Sequence, residues 1–429
     1  MINGSALFRV FRVFRGPLSA LGVVVKITDV KAIHINPRLA IRNAGHEVRF
    51  AGIDTQTVFR VKTDNGITGY GDSRGHVSLV ESEIEAMIDR SPADFLGADL
   101  ATGLVGAIYD AVGKYLEVPA YRLIGPKVRD RVPVAAWTRP ASPEDFAREL
   151  QRAVDEGYHL FKMHTCAHHC VFAQTRAAED VLPSHFRVHY DLNHNRTRNE
   201  VIHIVHELAA SPIVGVIEDP LVPEDLEGWR LLRTQLSVPI LMHVPRLGGG
   251  PEILSGCADL LMIGEMGIGT SIKRGYAASV ANLSTVIQLT GGTLSKAMAM
   301  HLGAVIPKVS HSINLDDQYE DDGSGSRLQV CDGSTPVPEE PGLGIDVDES
   351  ILESLAARPK TEIPKHVGIL HLLSGDKWYS PSTPSAVALT GFAEGNVRGI
   401  RSEIWNDDGS AEFSQIYDRV QTEGAFKEP

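Results

Sequence analysis

From Lys26 to His34, and again from Thr55 to Thr63, apolar and polar residues alternate with the period of a half-buried strand. Asp64-Asn65-Gly66 follows and the second arm continues through Gly71; an Asx-Gly pair between alternating runs predicts a tight hairpin. The rhythm then lengthens to that of a helix from Val80 to about Leu123. The first block reads as an α+β domain.

After Val132 the pattern changes again. Short apolar runs at Val132–Trp137, His159–Met163, Phe186–Tyr190, Val214–Ile217, Pro239–Met242, Leu260–Ile263, Thr285–Ile287 and from Val309 predict buried strands. Between them lie helical stretches at Pro143–Glu156, Glu200–Ala210, Leu226–Gln235, Ser271–Asn282 and Leu294–Ala304. Strands alternating with helices imply a parallel sheet, and about eight units over roughly 200 residues fit a closed barrel. An open doubly wound sheet is the rival, weakened because no Gly-x-Gly-x-x-Gly follows the first strand. Asp321 to Pro341, rich in Gly, Ser, Pro and acids, reads as a loop, and the tail beyond has no assignable period.

At 429 residues the chain is long enough for a large barrel with an appended domain. A net charge of -13 excludes a general nucleic-acid binder, which needs a basic face. No apolar run approaches the roughly 20 residues that span a bilayer. Four cysteines do not make a disulfide framework in a chain of this length. The start alternates apolar and basic residues from Phe8 to Arg15 and lacks the apolar core and cleavage site of a targeting segment, so residues 1–25 are expected to be a disordered extension and the cytoplasm the address.

Catalytic groups of a parallel barrel sit where strands end. Lys162 and His164 lie at the end of the second strand, Asp191 ends the third, Glu218 the fourth, and His243 follows the fifth. Taken singly, an Asp after a strand is a turn or helix-cap residue. Two carboxylates and an imidazole on three consecutive strand ends also make a divalent-metal site, and both readings stand on pattern alone.

The segment Ala107-Ile-Tyr-Asp-Ala-Val-Gly-Lys-Tyr-Leu-Glu-Val-Pro-Ala-Tyr-Arg-Leu-Ile-Gly125, with Val128-Arg-Asp-Arg-Val-Pro133, resembles the capping-domain-to-barrel junction of the mandelate racemase and muconate lactonizing group of the enolase superfamily. Gly66-Ile-Thr-Gly-Tyr-Gly71, Ile217-Glu-Asp-Pro-Leu221 and Pro341-Gly-Leu-Gly-Ile-Asp346 resemble its other signatures, and the likeness covers roughly residues 26 to 350. It implies a modified (β/α)7β TIM-like barrel (131–344) under an α+β capping domain (26–130), with the C-terminal segment (345–429) returning to the cap. It also implies an enediolate-forming enzyme with a divalent metal, Mg2+ first, held by Asp191 and Glu218.

His243 stands where the family usually has Glu, Asp or Asn, so it is the expected third ligand; an imidazole gives Mn2+, Fe2+ or Zn2+ more weight. Lys162-Met-His164 matches the family's Lys-x-Lys with His in the second place. His164 is then the candidate base and Lys162 the partner of the substrate carboxylate, with Asn193 as the polar residue beside the first ligand. The family's His-Asp dyad is missing. Gln288 stands near the position of its His, and Glu265 is a substitute for its Asp. The eighth strand offers His311, Asn314 or Asp316 where the family often has Glu. Arg42 and Arg74, in capping-domain loops with Arg38, Asn43, His46 and His76, are expected to touch the distal end of the substrate.

One proton carrier suits elimination better than a two-base racemisation. The expectation is therefore dehydration of an acid sugar. A racemase or epimerase, and a non-catalytic carboxylate-binding relative, remain as alternatives. A small carboxylate substrate and a homo-oligomer are expected, with neither nucleic acid nor membrane as partner. Cys166, His168, His169 and Cys170 form a dense run that could bind zinc, but its spacing matches no closed four-ligand pattern, and an active-site loop is expected instead.

Overall fold

The computed structural model describes residues 25–40, 52–138, 141–165, 169–194, 197–360, 364–372, 374–382 and 401–428. Residues 1–24 of the N-terminal extension, Arg42, Asn43 and His46, and Cys166 and His168 of the Cys/His run lie outside them. Of that run, His169 is half-buried and Cys170 exposed.

β1 (Ile27–Ile35), β3 (Gln56–Thr63) and β4 (Thr68–Arg74) form an antiparallel sheet in the order β1-β3-β4, while β2 (Arg38–Leu39) pairs elsewhere. The Asn-Gly turn closes the β3–β4 hairpin: Asn65 Oδ1 accepts from the Ile67 amide at 3.3 Å, and Gly66 has φ +85°. The long helix expected from Val80 is broken into α1 (Glu81–Glu85), a 3-10 turn at Pro92–Phe95, α2 (Thr102–Tyr115) and a second 3-10 turn at Ala120–Leu123. Pro92 begins the first 3-10 turn, Gly97 at φ +75° lies beyond its end, and Pro119 precedes the second.

α2 lies directly on β4, and Gly69 and Gly71 allow it. A Cβ on either would come within 2.2 Å of a carbonyl oxygen of Ala107 or Gly103. Buried Asp110 on α2 ties three signature segments together. Its carboxylate accepts from the Tyr70 amide at 2.9 Å, the Leu343 amide at 2.8 Å and Lys114 Nζ at 2.6 Å.

Eight parallel strands close the barrel in the order β5 (Arg131–Trp137), β6 (Leu160–His164), β7 (Arg187–Asp191), β8 (Val214–Glu218), β9 (Ile240–Met242), β10 (Leu260–Gly264), β11 (Ser284–Gln288) and β12 (Val309–Ile313), with β12 pairing back to β5. Seven helices connect them: α3 (Pro143–Asp155), α4 (Val171–Glu179), α5 (Arg198–Ala209), α6 (Leu226–Gln235), α7 (Gly250–Ser255), α8 (Ile268–Val280) and α9 (Thr293–Val305). This is the expected (β/α)7β barrel. α4 and α7 escaped the periodicity; the first follows the Cys/His run, and the second spans 6 residues behind three glycines. In the expected loop after Asp321, Ser334–Pro336 forms β14 against β5, while β13 (Tyr319–Asp321) pairs with β2 of the cap.

The cap also holds the barrel through helix N-termini, whose first N–H groups lack partners within the helix. Asp72, 2 % exposed at the end of β4, accepts from the Gly292 amide at 2.9 Å and the Ser295 amide at 2.8 Å at the start of α9. Burial pushes the Asp72 carboxyl up to about 7 despite these donors. Asp99 does the same for α8, accepting from the amide and hydroxyl of Thr270 at 2.9 Å. A Cβ at Gly291 would fall 2.2 Å from Asp72 Oδ1, so any side chain there would have to displace the Asp72 carboxylate from this joint.

Beyond the barrel, α10 (Glu349–Ala357) lies along β1, where the Asn36 amide donates to Leu355 O at 3.1 Å. β15 (His366–His371), β16 (Lys377–Ser380), β17 (Arg401–Asn406) and β18 (Phe426–Glu428) form a separate antiparallel sheet in the order β17-β15-β16-β18. It has its own apolar cluster of Val367, Ile369, Tyr379, Phe413, Ile416, Val420 and Phe426, the middle of which comes from the helix Ala411–Glu423. Among the described residues no helix is long and apolar enough to cross a membrane.

Asp72→Ala should destabilise the protein by about 2–4 kcal/mol, since it leaves two buried N–H groups without acceptors. Asp99→Ala, at an exposed cap, should cost only about 0.5–1 kcal/mol. Denaturant unfolding of both variants checks the ordering, and equal losses would contradict the burial of the Asp72 joint.

Candidate metal centre at the barrel mouth

Parallel register sets the site. His164 pairs with Asp191 across β6 and β7, and Asp191 pairs with Glu218 across β7 and β8, so three strand-end side chains stand in one row. Lys162 and His189 pair in the row below. Asp191, Glu218 and His243 each offer a ligand atom, all within 4.8 Å of one another.

Two carboxylates this close and this deep repel strongly unless a cation answers them. Asp191 is 2 % and Glu218 0 % exposed. Lys162, also 0 % exposed, supplies one positive charge, with Nζ 3.1 Å from Asp191 Oδ2 and 2.7 Å from Glu218 Oε2. Burial alone would lower the Lys162 pKa, but the two carboxylates hold it well above its ordinary value. Burial alone would raise Glu218, yet Lys162, His189 and His243 bring it well below the usual range. Lys162 also donates to Gln288 Oε1 at 3.1 Å.

The donor set fits a divalent cation. His243 Nδ1 is 2.9 Å from Glu218 Oε1 and His189 Nε2 is 2.6 Å from Oε2, but neither these contacts nor that of Lys162 has hydrogen-bond alignment. Both oxygens of a fully buried carboxylate therefore keep lone pairs unmet. Two carboxylates against one lysine leave one negative charge in excess, which a protonated His243 answers in the metal-free protein and a dication would answer once His243 is a neutral ligand.

The loops are held in place by residues that periodicity does not reveal. Asp219 accepts from the His243 amide at 3.0 Å through Oδ1, and its Oδ2 lies 3.2 Å from His194 Nδ1. Asn193, His194 and Asp219 all take positive φ, at 53°, 44° and 46°, conformations that non-glycine residues adopt when surroundings impose them. The left-handed turn points the Asn193 amide back at the row, where Oδ1 is 3.1 Å from His164 Nδ1. His164 stands edge-on to Trp137 at 6.1 Å, and burial lowers its pKa, favouring the neutral ring.

On the far side, Gln288 ends β11 with Nε2 3.4 Å from His243 Nε2. Glu265 Oε2 is 3.7 Å from His243 Nε2, Oε1 accepts from the Thr290 hydroxyl, and Arg74 of the cap approaches Oε1 at 4.0 Å. Burial would raise Glu265, but His243, Arg74 and Thr290 hold it at about 2, so it is an acceptor and not a proton donor. Burial lowers His243 too, but Glu218 and Glu265 overcome it and push the ring up to about 10.

Two expected substrate contacts are placed elsewhere. His311 is 2 % exposed inside the barrel and engages His189 and Ser310, because its position in mid-strand sets it a row below the mouth. Asn314, 4 % exposed, accepts from Ser312 Oγ at 2.9 Å and donates to Leu289 O at 3.4 Å, joining the ends of β11 and β12. Asp316 pairs with buried Lys296 at 2.9 Å. His189 was missed by the sequence reading: it lies inside an apolar strand with no turn or motif to mark it.

The model of the family described as "Enolase C-terminal domain-like" matches residues 145–351. The chain is 24% identical over 357 residues to a D-galactonate dehydratase of Variovorax paradoxus (strain S110), covering 70% of this chain and 91% of that protein. It is 28% identical over 353 residues to a D-gluconate dehydratase of Thermoproteus tenax, covering 71% and 70%. Among solved structures, a mandelate racemase/muconate lactonizing enzyme from Sulfitobacter sp. superposes with a TM-score of 0.65 at 20% identity, over 79% of this chain and 96% of that one.

In the presence of EDTA, Lys162→Met should lose about 3–5 kcal/mol of stability, because two buried carboxylates are left without their cation. The depressed Glu218 pKa means that this stabilisation is present above the unfolded carboxylate value and is lost as pH falls through the folded one. The gap between variant and wild type in denaturant unfolding should therefore hold steady from pH 8 down to the ordinary glutamate value of about 4.3 and narrow only at more acid pH; a gap that does not narrow there would show that charge compensation is not what Lys162 contributes.

Proposed function

Since the chain belongs to the mandelate racemase and muconate lactonizing group of the enolase superfamily and is an enzyme of lyase or isomerase type, we propose that it dehydrates an acid sugar by removing the proton alpha to its carboxylate. The observation that carries this reading is the row His164, Asp191, Glu218 above Lys162, set opposite a Gln288 that cannot carry a proton.

Asp191, Glu218 and His243 would hold the divalent cation, Mg2+ as the family's usual ion, with Mn2+, Fe2+ or Zn2+ admitted by the imidazole. When bound, the cation supplies Lewis-acid stabilisation of negative charge on the substrate carboxylate. Lys162 adds a fixed ammonium beside the same charge. With Asn193 Oδ1 accepting at Nδ1, the His164 proton resides on Nδ1 and the lone pair on Nε2, the state required of a base. Arg74 and Glu265 border the opposite side and would meet the polyhydroxy end of a sugar acid.

A racemase needs a second proton carrier on the other face of the substrate. The residue in the corresponding place is Gln288, already committed to Lys162, which supports elimination. The curated dehydratases acting on D-galactonate and D-gluconate support an acid sugar as the substrate class.

Incubation with an acid-sugar library and Mg2+, Mn2+ or Zn2+ in turn should give a 2-keto-3-deoxy acid from at least one member. His164→Asn should lower kcat by about 10²–10⁴-fold with little change in fold. Alpha-deuterium exchange from D2O without loss of water would instead indicate an epimerase.

Metal binding itself should be proton-linked. His243, with its pKa at about 10, is protonated in the metal-free protein at neutral pH and must give up that proton to become a ligand. Calorimetric titration with Mn2+ in two buffers of different ionisation enthalpy should show release of about one proton in the wild type and none in His243→Asn. Equal release in both would remove His243 from the ligand set.

A further inference from the structure

The joint between cap and barrel holds a second carboxylate. Asp322, 6 % exposed and just beyond β13, meets the start of α9 beside Asp72. Its Oδ2 accepts from the Thr293 amide at 2.7 Å and the Thr293 hydroxyl at 2.9 Å. Its Oδ1 accepts from the amide and hydroxyl of Ser324 at 3.1 and 2.5 Å. The two carboxylates are close neighbours. A Cβ placed on Gly292 would lie 2.4 Å from Asp322 Oδ2 and 2.8 Å from Asp72 Oδ2, so a single point touches both.

Positive charge at this place falls short of the negative. Asp316 is buried as well, and Lys296 on α9 answers it at 2.9 Å. The N-terminus of α9 contributes roughly half an elementary charge, against which Asp72 and Asp322 would set two. Arg74 lies further along β4 but reaches towards Glu265, and Tyr319, its hydroxyl raised by burial and then by the two carboxylates, stays neutral. α2 brings Thr102 and Gly103, which carry no charge. Two carboxyls this close and this buried ionise one after the other. The donors decide which keeps its proton longer. Asp322 accepts from two amides and two hydroxyls, whereas the Asp72 carboxylate accepts from the amides of Gly292 and Ser295 alone.

We infer that Asp72 and Asp322 form a proton-operated latch between cap and barrel, firm while Asp72 is neutral and looser once both are ionised. The latch does not depend on the reaction proposed above. A small cavity lined by Gly71, Asp72, Thr102, Gly103 and Ser295 adjoins the carboxyl and offers water a place as the joint loosens. The Asp72 carboxyl stands at about 7 in the closed joint, against an ordinary aspartate value of about 3.9 once the joint opens. The closed form therefore binds the proton more tightly, so the latch is firmest below about pH 4, weakens as pH rises and is constant above about 7. The effect reaches the mouth, because Arg74 follows Asp72 by two residues, Thr290 precedes Gly292 by two, and both engage Glu265.

The test is hydrogen exchange of the full chain in the first turn of α9, corrected for the intrinsic rate of free amides, between about pH 6 and pH 8. In the wild type the opening constant there should rise about tenfold. Asp322→Asn, which removes the neighbouring charge, should cut that rise to about twofold, and Asp72→Asn should abolish it. Carbon NMR of protein labelled at the aspartate carboxyl carbon should find one group titrating near neutral pH in the wild type. That titration should move to lower pH in Asp322→Asn and be absent from Asp72→Asn. An opening constant that stays flat in the wild type, or rises equally in the wild type and Asp322→Asn, would overturn the inference, as would a near-neutral titration that survives in Asp72→Asn. Should either variant fail to fold, the other and the wild type decide by both measurements.

Discussion

Two carboxylates, Asp191 and Glu218, stand side by side at the ends of neighbouring strands and are almost wholly removed from water. Parallel pairing of Asp191 with Glu218 sets this closeness, and burial forbids water from relieving it. Much of the surrounding mouth can be understood as a response to that charge. Lys162 answers from the row below, His189 from the floor, and His243 and a divalent cation would answer from the open side. Under the proposed function, this balance is what would let the mouth take the carboxylate of a substrate.

The same electrostatic logic governs how the cap is fixed to the barrel. Helix N-termini of α8 and α9 point towards the mouth, and each meets a carboxylate from the capping domain, Asp99 and Asp72. Asp110 then draws the β3–β4 hairpin, α2 and the segment after the barrel onto one buried carboxylate. These joints place Arg74, at the end of β4, over Glu265, so the seating of the cap fixes that side of the mouth.

The departures from the family pattern are mutually consistent in physical terms. A histidine in place of the second lysine gives a ring that burial keeps neutral, whereas another buried ammonium would have over-compensated the carboxylates. Gln288 in place of a proton carrier offers Lys162 a neutral acceptor and adds no charge beside it. His243 in place of a third carboxylate spares the site a third buried negative charge. With His243 as a neutral ligand, each change removes formal charge from one enclosed place.

The sequence alone determined the alternation of strands and helices, the barrel they close, and which residues stand at the strand ends. Period, turn chemistry and the position of a polar residue after an apolar run are local properties, and Lys162, His164, Asp191, Glu218 and His243 could all be named from them. It did not determine that α1 and α2 are separate, because a helical period does not register a proline and a glycine that the chain uses as corners. Nor did it reveal His189 or place His311 and Asn314, since an imidazole or amide in an apolar strand has no local mark of what it will face. His189 and His311 meet across 122 residues of sequence, and Asp72 and Ser295 across 223. Such partnerships exist only once barrel closure and cap docking have brought distant backbone together, and burial then makes each unmatched polar atom too costly to leave alone.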